Sequence, residues 1–251
     1  MTINKIIITA VIIVFTTATN GQELIQAGKY DDLMSAPKIA IAGGGTLLDW
    51  ANMNFYKDSN ERLKKISDPN RVVFLGNSIT QAWSHFNASF FKNNPFVNRG
   101  IGGQTSPQML VRFKPDVVNL NPKAVVIMAG TNDIAGNTGP ILLENTADNI
   151  ISMAEIAKAN NIKVYICSTL PAIDFLWSPG LEPAPKVIKL NTILKDYCTK
   201  NNITYVDYYS SMVDDEGGLK VPEYTAANDL VHPNLAGYKV MEKIILSALE
   251  K

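Results

Sequence analysis

An excess of charge of either sign is the first thing this sequence lacks: 23 Lys and Arg stand against 23 Asp and Glu. Without a basic or acidic surplus there is no electrostatic footprint for nucleic acid or an anionic membrane surface, and neither is expected as a partner. Cysteine is nearly absent, with two in 251 residues. Cys167 falls in a predicted strand and Cys198 in a predicted helix; small buried apolar side chains account for both, while a disulfide stays open in an exported protein. No internal repeat or low-complexity tail is present. A long hydrophobic run is missing as well, because the apolar stretch from Ile6 to Phe15 is well short of the roughly 20 residues that span a bilayer. Lys5 is the only charged side chain before it and Thr16 to Gly21 is small and polar, so residues 1–21 read as a secretory signal peptide cleaved near Gly21. No cysteine near that point suggests a lipid-modified end. Losing Lys5 leaves 22 basic against 23 acidic side chains, a formal charge of −1. The mature chain is therefore expected outside the cytoplasm, in the periplasm or beyond the cell, with no stable membrane insertion.

What is present suffices for one substantial core, at 46% hydrophobic and 18% charged residues. Five short segments rich in Val, Ile, Phe and Tyr read as strands: Arg71–Leu75, Phe96–Asn98, Ala124–Met128, Lys163–Cys167 and Thr204–Asp207. Helical periodicity appears between them. Ile141–Ala159 sets Ile150, Met153, Ala154 and Ala157 on one face, and Val187–Thr199 does so with Ile188, Ile193, Leu194 and Tyr197. Strands alternating with helices imply right-handed crossovers and a parallel sheet covered on both sides, a three-layer α/β/α sandwich with five strands. Residues 71–251 form the predicted α/β domain. Residues 22–70 form an extension whose amphipathic helix, Leu47–Ile66, packs on the core through Trp50, Met53, Leu63 and Ile66. Leu170–Pro185, with four prolines, Phe175 and Trp177, reads as a long ordered loop near the ligand crevice.

That crevice lies beyond the carboxyl ends of parallel strands. The residues there are Gly76-Asn77-Ser78, Arg99-Gly100-Ile101-Gly102-Gly103-Gln104-Thr105 and Ala129-Gly130-Thr131-Asn132-Asp133. A serine at a strand-to-helix turn is an address for a nucleophile, since it needs a base beside it and amide donors nearby. Taken alone, Gly-Asn-Ser is equally an ordinary turn with a helix cap. Of the two histidines, His85 falls on the surface of the helix after Ser78. His232 lies just before the final helix, Leu235–Leu249, with Asp229 three residues ahead and able to reach the imidazole from behind. A capping histidine and a turn aspartate are the simpler readings of that pair. The Gly-x-Ser-x-Gly elbow is absent because position 80 is threonine, which argues against the α/β-hydrolase fold.

Four segments in this order resemble the SGNH, or GDSL-type, hydrolases, with the likeness running from about Trp50 to Tyr238. Gly76-Asn77-Ser78-Ile79-Thr80 matches the first block of that family, Asn98 to Thr105 the second, Gly130-Thr131-Asn132-Asp133 the third and Asp229-Leu230-Val231-His232-Pro233 the last. The resemblance implies a flavodoxin-like SGNH fold and a serine esterase, with Ser78 as nucleophile, His232 as general base and then acid, and Asp229 as the orienting carboxylate. It further implies an oxyanion hole made by the backbone N–H groups of Ser78 and Gly103 and the side-chain amide of Asn132. Gly103 is favoured over Gly102 because it directly precedes Gln104-Thr105, where family members carry the donor glycine. Asn77 departs from the aspartate of the family name; it keeps one carbonyl acceptor and loses the charge. No metal or organic cofactor is required by this chemistry.

The expected substrate is a small-molecule or carbohydrate ester, with short acyl groups such as acetyl removed from sugar. The resemblance keeps lysophospholipase and platelet-activating-factor-acetylhydrolase-like activities open. A non-catalytic glycan-binding module is the reading from a different class, and its signature would be the loss of Ser78, Asp229 or His232.

Overall fold

The computed structural model describes residues 49–250; the expected signal peptide, 1–21, and the extension as far as residue 48 lie outside the described residues. Element order is α1 (Lys57–Lys64), β1 (Val72–Gly76), α2 (Ser78–Phe86), α3 (Ala88–Lys92), β2 (Phe96–Gly100), α4 (Ser106–Val111), α5 (Phe113–Asp116), β3 (Ala124–Ile127), α6 (Thr131–Ile134), α7 (Leu143–Ala159), β4 (Lys163–Cys167), α8 (Pro183–Asn201), β5 (Thr204–Val206), α9 (Tyr209–Met212) and α10 (Leu235–Leu249).

Every pairing in the five-stranded sheet is parallel, in the order β2-β1-β3-β4-β5. β1 is buried at all five positions, as an uninterrupted apolar strand must be when helices cover both faces of a sheet. The chain leaves β1 for β2 on one side and then returns past it to β3 on the other. The strand order reverses at this point, and the loops after β1, β2 and β3 open into one crevice. In the β1–β2 register Gly76 pairs with Gly100. A Cβ at Gly100 would stand 2.2 Å from the backbone nitrogen of Gln81, so α2 lies directly on the end of β2.

One face of the sheet is packed by aromatic rings. Trp83 of α2 stacks on Phe90 at 5.0 Å and on Tyr238 of α10 at 5.4 Å, and Phe74 of β1 meets Trp83 edge-on at 5.8 Å. Such pairs contribute about 0.5–1.5 kcal/mol each beyond their buried area. Polar contacts fix the same two helices: Tyr238 Oη donates to the Ile79 carbonyl at 2.7 Å, and Trp83 Nε1 and Asn87 Nδ2 both donate to Glu242. The helix that follows His232 is thereby clamped to the helix that begins with Ser78. On the opposite face α7 buries Ile150, Met153, Ala154 and Ala157. Cys167 and Cys198 are unpaired and buried, and burial pushes both thiols up to about 12.

Three details differ from expectation. Over the described part of the predicted helix Leu47–Ile66, the helix is Lys57–Lys64; Leu63 packs against the core as expected, Met53 and Ile66 are exposed, and the fully buried residue is Asn60. Asn60 earns that burial by donating to Asp116 at 2.6 Å and accepting from Arg99 Nε at 2.9 Å. In α8 the buried positions are Val187, Leu190, Asn191, Leu194 and Cys198, whereas Ile188 is half exposed. The predicted loop 170–185 is shorter than its composition suggested, because Pro183 starts α8 where a missing N–H costs nothing. Among the described residues no helix is long and apolar enough to cross a membrane.

Candidate active site

Ser78 stands at the first position of α2, and its turn is built by its neighbour. Asn77 is buried and caps the helix, its side-chain oxygen accepting from Ile79 N–H at 3.1 Å. A neutral amide carbonyl performs this cap as well as a carboxylate does, which explains how the chain keeps the turn with asparagine at that position. Ser78 itself is partly exposed in the crevice.

The structure brings Ser78, His232 and Asp229 together. His232 Nε2 lies 2.9 Å from Ser78 Oγ, and Nδ1 lies 2.8 and 3.1 Å from the two carboxylate oxygens of Asp229. With the proton on Nδ1 donated to Asp229, Nε2 keeps a lone pair aimed at the serine hydroxyl. Asp229 also accepts the backbone N–H groups of Val231 and His232 at 3.2 and 2.9 Å. The loop folds this tightly because Leu230 adopts φ +67°, turning the chain back on the carboxylate. Partial burial opposes ionisation of Asp229, but the hydrogen bonds from His232 and Val231 together outweigh it and hold the carboxyl below its ordinary value. Thr225 Oγ1 donates to the His232 carbonyl at 2.8 Å and pins the other side of the loop. His85, in contrast, is exposed near the end of α2.

Gly102 and Gly103 pass beside the serine. The N–H of Gly102 is taken by Gln81 Oε1 at 2.8 Å, and a Cβ at Gly102 would lie 3.8 Å from that of Ser78. Gly103 has φ +75°, a conformation that suits glycine. Asn132 is buried at the start of α6 and donates one N–H of its amide to the Gln104 carbonyl at 2.8 Å, leaving the second for another acceptor. Asp133 supports the two loops from beneath: it accepts the N–H of Ser106 at 3.0 Å on each oxygen and its hydroxyl as well. Burial raises its pKa, although the Ser106 hydrogen bonds work against the shift.

Four residues of this region escaped the sequence reading. Gln81 is one helical turn after Ser78, so the 3.6-residue period would have placed both on one face of α2. Arg112 is fully buried and binds Asp116 at 2.9 Å, the Gly76 carbonyl at 2.9 Å, and Gln104. Asn137 donates to the Gly103 carbonyl at 3.1 Å and accepts Trp177 Nε1–H at 3.0 Å. Tyr56 donates to the Gly100 carbonyl at 2.6 Å while Arg99 stacks on its ring at 4.4 Å. Asn137 and Tyr56 follow no local pattern, because each partner is more than 30 residues away in sequence, and Arg112, although Asp116 is a neighbour one helical turn on, reaches the nucleophile turn only through the Gly76 carbonyl 36 residues distant. Among the described residues no group of three His, Cys, Asp or Glu side chains is placed to hold a metal ion.

With hydroxyl, imidazole and carboxylate in line and amide donors beside them, the arrangement is suited to acyl transfer. The profile of the GDSL-like lipase/acylhydrolase family matches residues 74–240. The crystal structure of a candidate acylhydrolase from Bacteroides fragilis is 50% identical, covering 80% of this chain and 97% of that one, with a TM-score of 0.76. An acetylxylan esterase from Geobacillus stearothermophilus shares the fold at 18% identity, covering 74% of this chain and 96% of that one, with a TM-score of 0.59. The uncharacterized lipoprotein YqeF of Bacillus subtilis is 27% identical over 160 residues, 57% of this chain; the match spans 66% of that relative's length.

Proposed function

The chain belongs to the GDSL-like lipase/acylhydrolase family and is an ester-bond hydrolase, and from that premise we propose that Ser78, His232 and Asp229 are its catalytic triad. The observation that carries this reading is the continuous chain of contacts from Ser78 Oγ to His232 Nε2 at 2.9 Å and from His232 Nδ1 to Asp229 Oδ1 at 2.8 Å. His232 removes the proton as Ser78 attacks the ester carbonyl. The oxyanion that forms is held by the N–H groups of Ser78 and Gly103 and the free N–H of Asn132; engagement of the Gly102 N–H by Gln81 supports Gly103 as the donor. As the tetrahedral intermediate collapses, His232 gives the proton to the departing alcohol and the acyl group stays on Ser78. Water then enters, loses a proton to His232, attacks the acyl carbon and releases the acid, and the proton returns to Ser78 Oγ.

For substrate we propose short acyl esters of carbohydrate, acetyl foremost, with residues 71–251 as the catalytic domain of an exported protein. The acetylxylan esterase of the same fold and the exposed indole of Trp177 beside His232 support the carbohydrate part. The signal-like residues 1–21 and the lipoprotein relative support export. The test is hydrolysis of p-nitrophenyl esters from acetyl to long-chain acyl by the mature protein and by Ser78→Ala at equal folded concentration. Activity that peaks at acetyl and disappears in the variant is the expected result. Activity rising with chain length would move the substrate to lipids, and a fully active Ser78→Ala would overturn the triad.

A further inference from the structure

We propose that Trp177 is the platform on which the alcohol half of the substrate, a pyranose ring, lies while its ester is cleaved; this rests on the esterase reading above. Trp177 is 46% exposed although the ring packed against it, Phe175, is completely buried. The indole is held in one orientation from two sides. Phe175 packs on it at 5.1 Å between centroids, and its Nε1–H donates to Asn137 Oδ1 at 3.0 Å. An exposed tryptophan so fixed keeps its polar N–H satisfied by the protein and offers an apolar face to whatever enters the crevice.

Its position says which half of the substrate that is. The indole centroid lies 6.5 Å from the imidazole of His232. In the collapse step His232 Nε2 must reach the leaving oxygen within hydrogen-bond distance, so the group attached to that oxygen extends past His232. Trp177, beside that imidazole, is placed to meet the group attached to the leaving oxygen. Asn137 couples the indole to the glycine loop, since the side chain that fixes the indole also donates to the Gly103 carbonyl at 3.1 Å.

The same geometry selects among alcohols. A quaternary ammonium headgroup is recognised by a cage of several aromatic faces around the cation. Here the neighbouring ring, Phe175, is buried beneath the indole, which leaves a single flat face. A pyranose, with axial C–H bonds on one side and hydroxyls around its edge, matches one flat apolar face that has water at its rim.

The experiment compares wild type, Trp177→Phe and Trp177→Ala on two acetate esters, an O-acetylated methyl xyloside and ethyl acetate, whose alcohol is too small to cover the indole and which serves as the reference for intact chemistry. For Trp177→Ala the expected result is a fall of about tenfold or more in kcat/KM on the xyloside, carried by KM. Less than threefold is expected on ethyl acetate, with Trp177→Phe between the two proteins on the xyloside. Equal losses on both esters would make Trp177 merely structural and overturn the proposal, as would no loss on either. A selective loss on an acetylated glycerophosphocholine ester, with the xyloside unaffected, would overturn the sugar assignment. Failure of the esterase reading is read separately, as a wild-type protein inert on p-nitrophenyl acetate. In that case titration of Ser78→Ala with methyl xyloside still tests the platform, because quenching of indole fluorescence that is lost in the Ser78→Ala, Trp177→Phe double variant requires no turnover.

Discussion

Arg112 donates a hydrogen bond at 2.9 Å to the carbonyl of Gly76, two residues before the proposed nucleophile. The same guanidinium binds Gln104, at the end of the glycine loop, and forms a buried ion pair with Asp116 at 2.9 Å. One side chain thus joins the turn that carries Ser78 to the loop that carries Gly103. Desolvation lowers its pKa while Asp116 opposes that shift.

Replacing Arg112 by methionine leaves Asp116 as a buried charge without its partner. The expected cost is about 3–5 kcal/mol of unfolding free energy, measured by urea denaturation monitored by circular dichroism. Activity per folded molecule should fall as well, since the Gly76 and Gln104 contacts are lost together; a variant as stable and active as wild type would refute this account of the network.

Asn132→Ala removes the proposed side-chain donor to the oxyanion. Turnover on p-nitrophenyl acetate is expected to drop on the order of 10²–10³ with KM little changed. The loss of the bond to the Gln104 carbonyl adds a modest decrease in melting temperature, which differential scanning calorimetry would resolve from the kinetic effect.

Asp229→Asn keeps the shape of the loop and removes the charge behind His232. A fall of about 10³–10⁴ in turnover is expected, because an amide permits the wrong imidazole tautomer. Stability adds a signed test. The folded carboxyl titrates below its ordinary value, so its stabilising contribution is complete above that value and disappears as pH falls through the lower, folded one. The difference in melting temperature between wild type and Asp229→Asn should be steady at neutral pH and shrink below about pH 4. A gap that widens on acidification would contradict the assignment.

Gly100→Ala tests how closely α2 sits on the sheet. Its Cβ would fall 2.2 Å from Gln81 N and 2.7 Å from the Asn77 carbonyl oxygen, both backbone atoms that move only if the helix moves. Overpacking of this kind costs about 1–3 kcal/mol. Because Ser78 begins that helix, activity measured well below the melting temperature should fall too. Unchanged kinetics with lowered stability would show that the helix start tolerates displacement.

Much of this architecture is visible in the chain itself. The strands are legible because doubly covered strands are dense in Val, Ile and Phe, and α10 is legible at its start because Pro233 and Asn234 signal it. Three of the loop segments announce themselves by residue type at the carboxyl ends of strands and the fourth does so just before α10, and the structure brings Ser78 of the first to His232 of the last. What escaped is polar and non-local. The helix before β1 was read too long because apolar periodicity cannot register a face whose key residue is Asn60, buried by bonds to Asp116 and Arg99. Arg112 and Asn137 were invisible for the same reason: their value lies in carbonyl groups 36 and 34 residues distant. Ile188 shows the opposite failure, an apolar residue counted inward by composition that faces solvent.

Asp229 and His232 are three residues apart, but Ser78 lies 154 residues before the imidazole it meets. The proposed acid–base half is therefore assembled by a single local turn, whereas its meeting with the serine depends on α10 reaching α2 through Tyr238 and Glu242. In a folding chain the sheet as far as β5 can be complete while Ser78 still lacks the base proposed for it. Docking of the last helix is then the step that closes the proposed triad, so the final fifteen-residue helix acts as the latch of a site whose other parts are already in place.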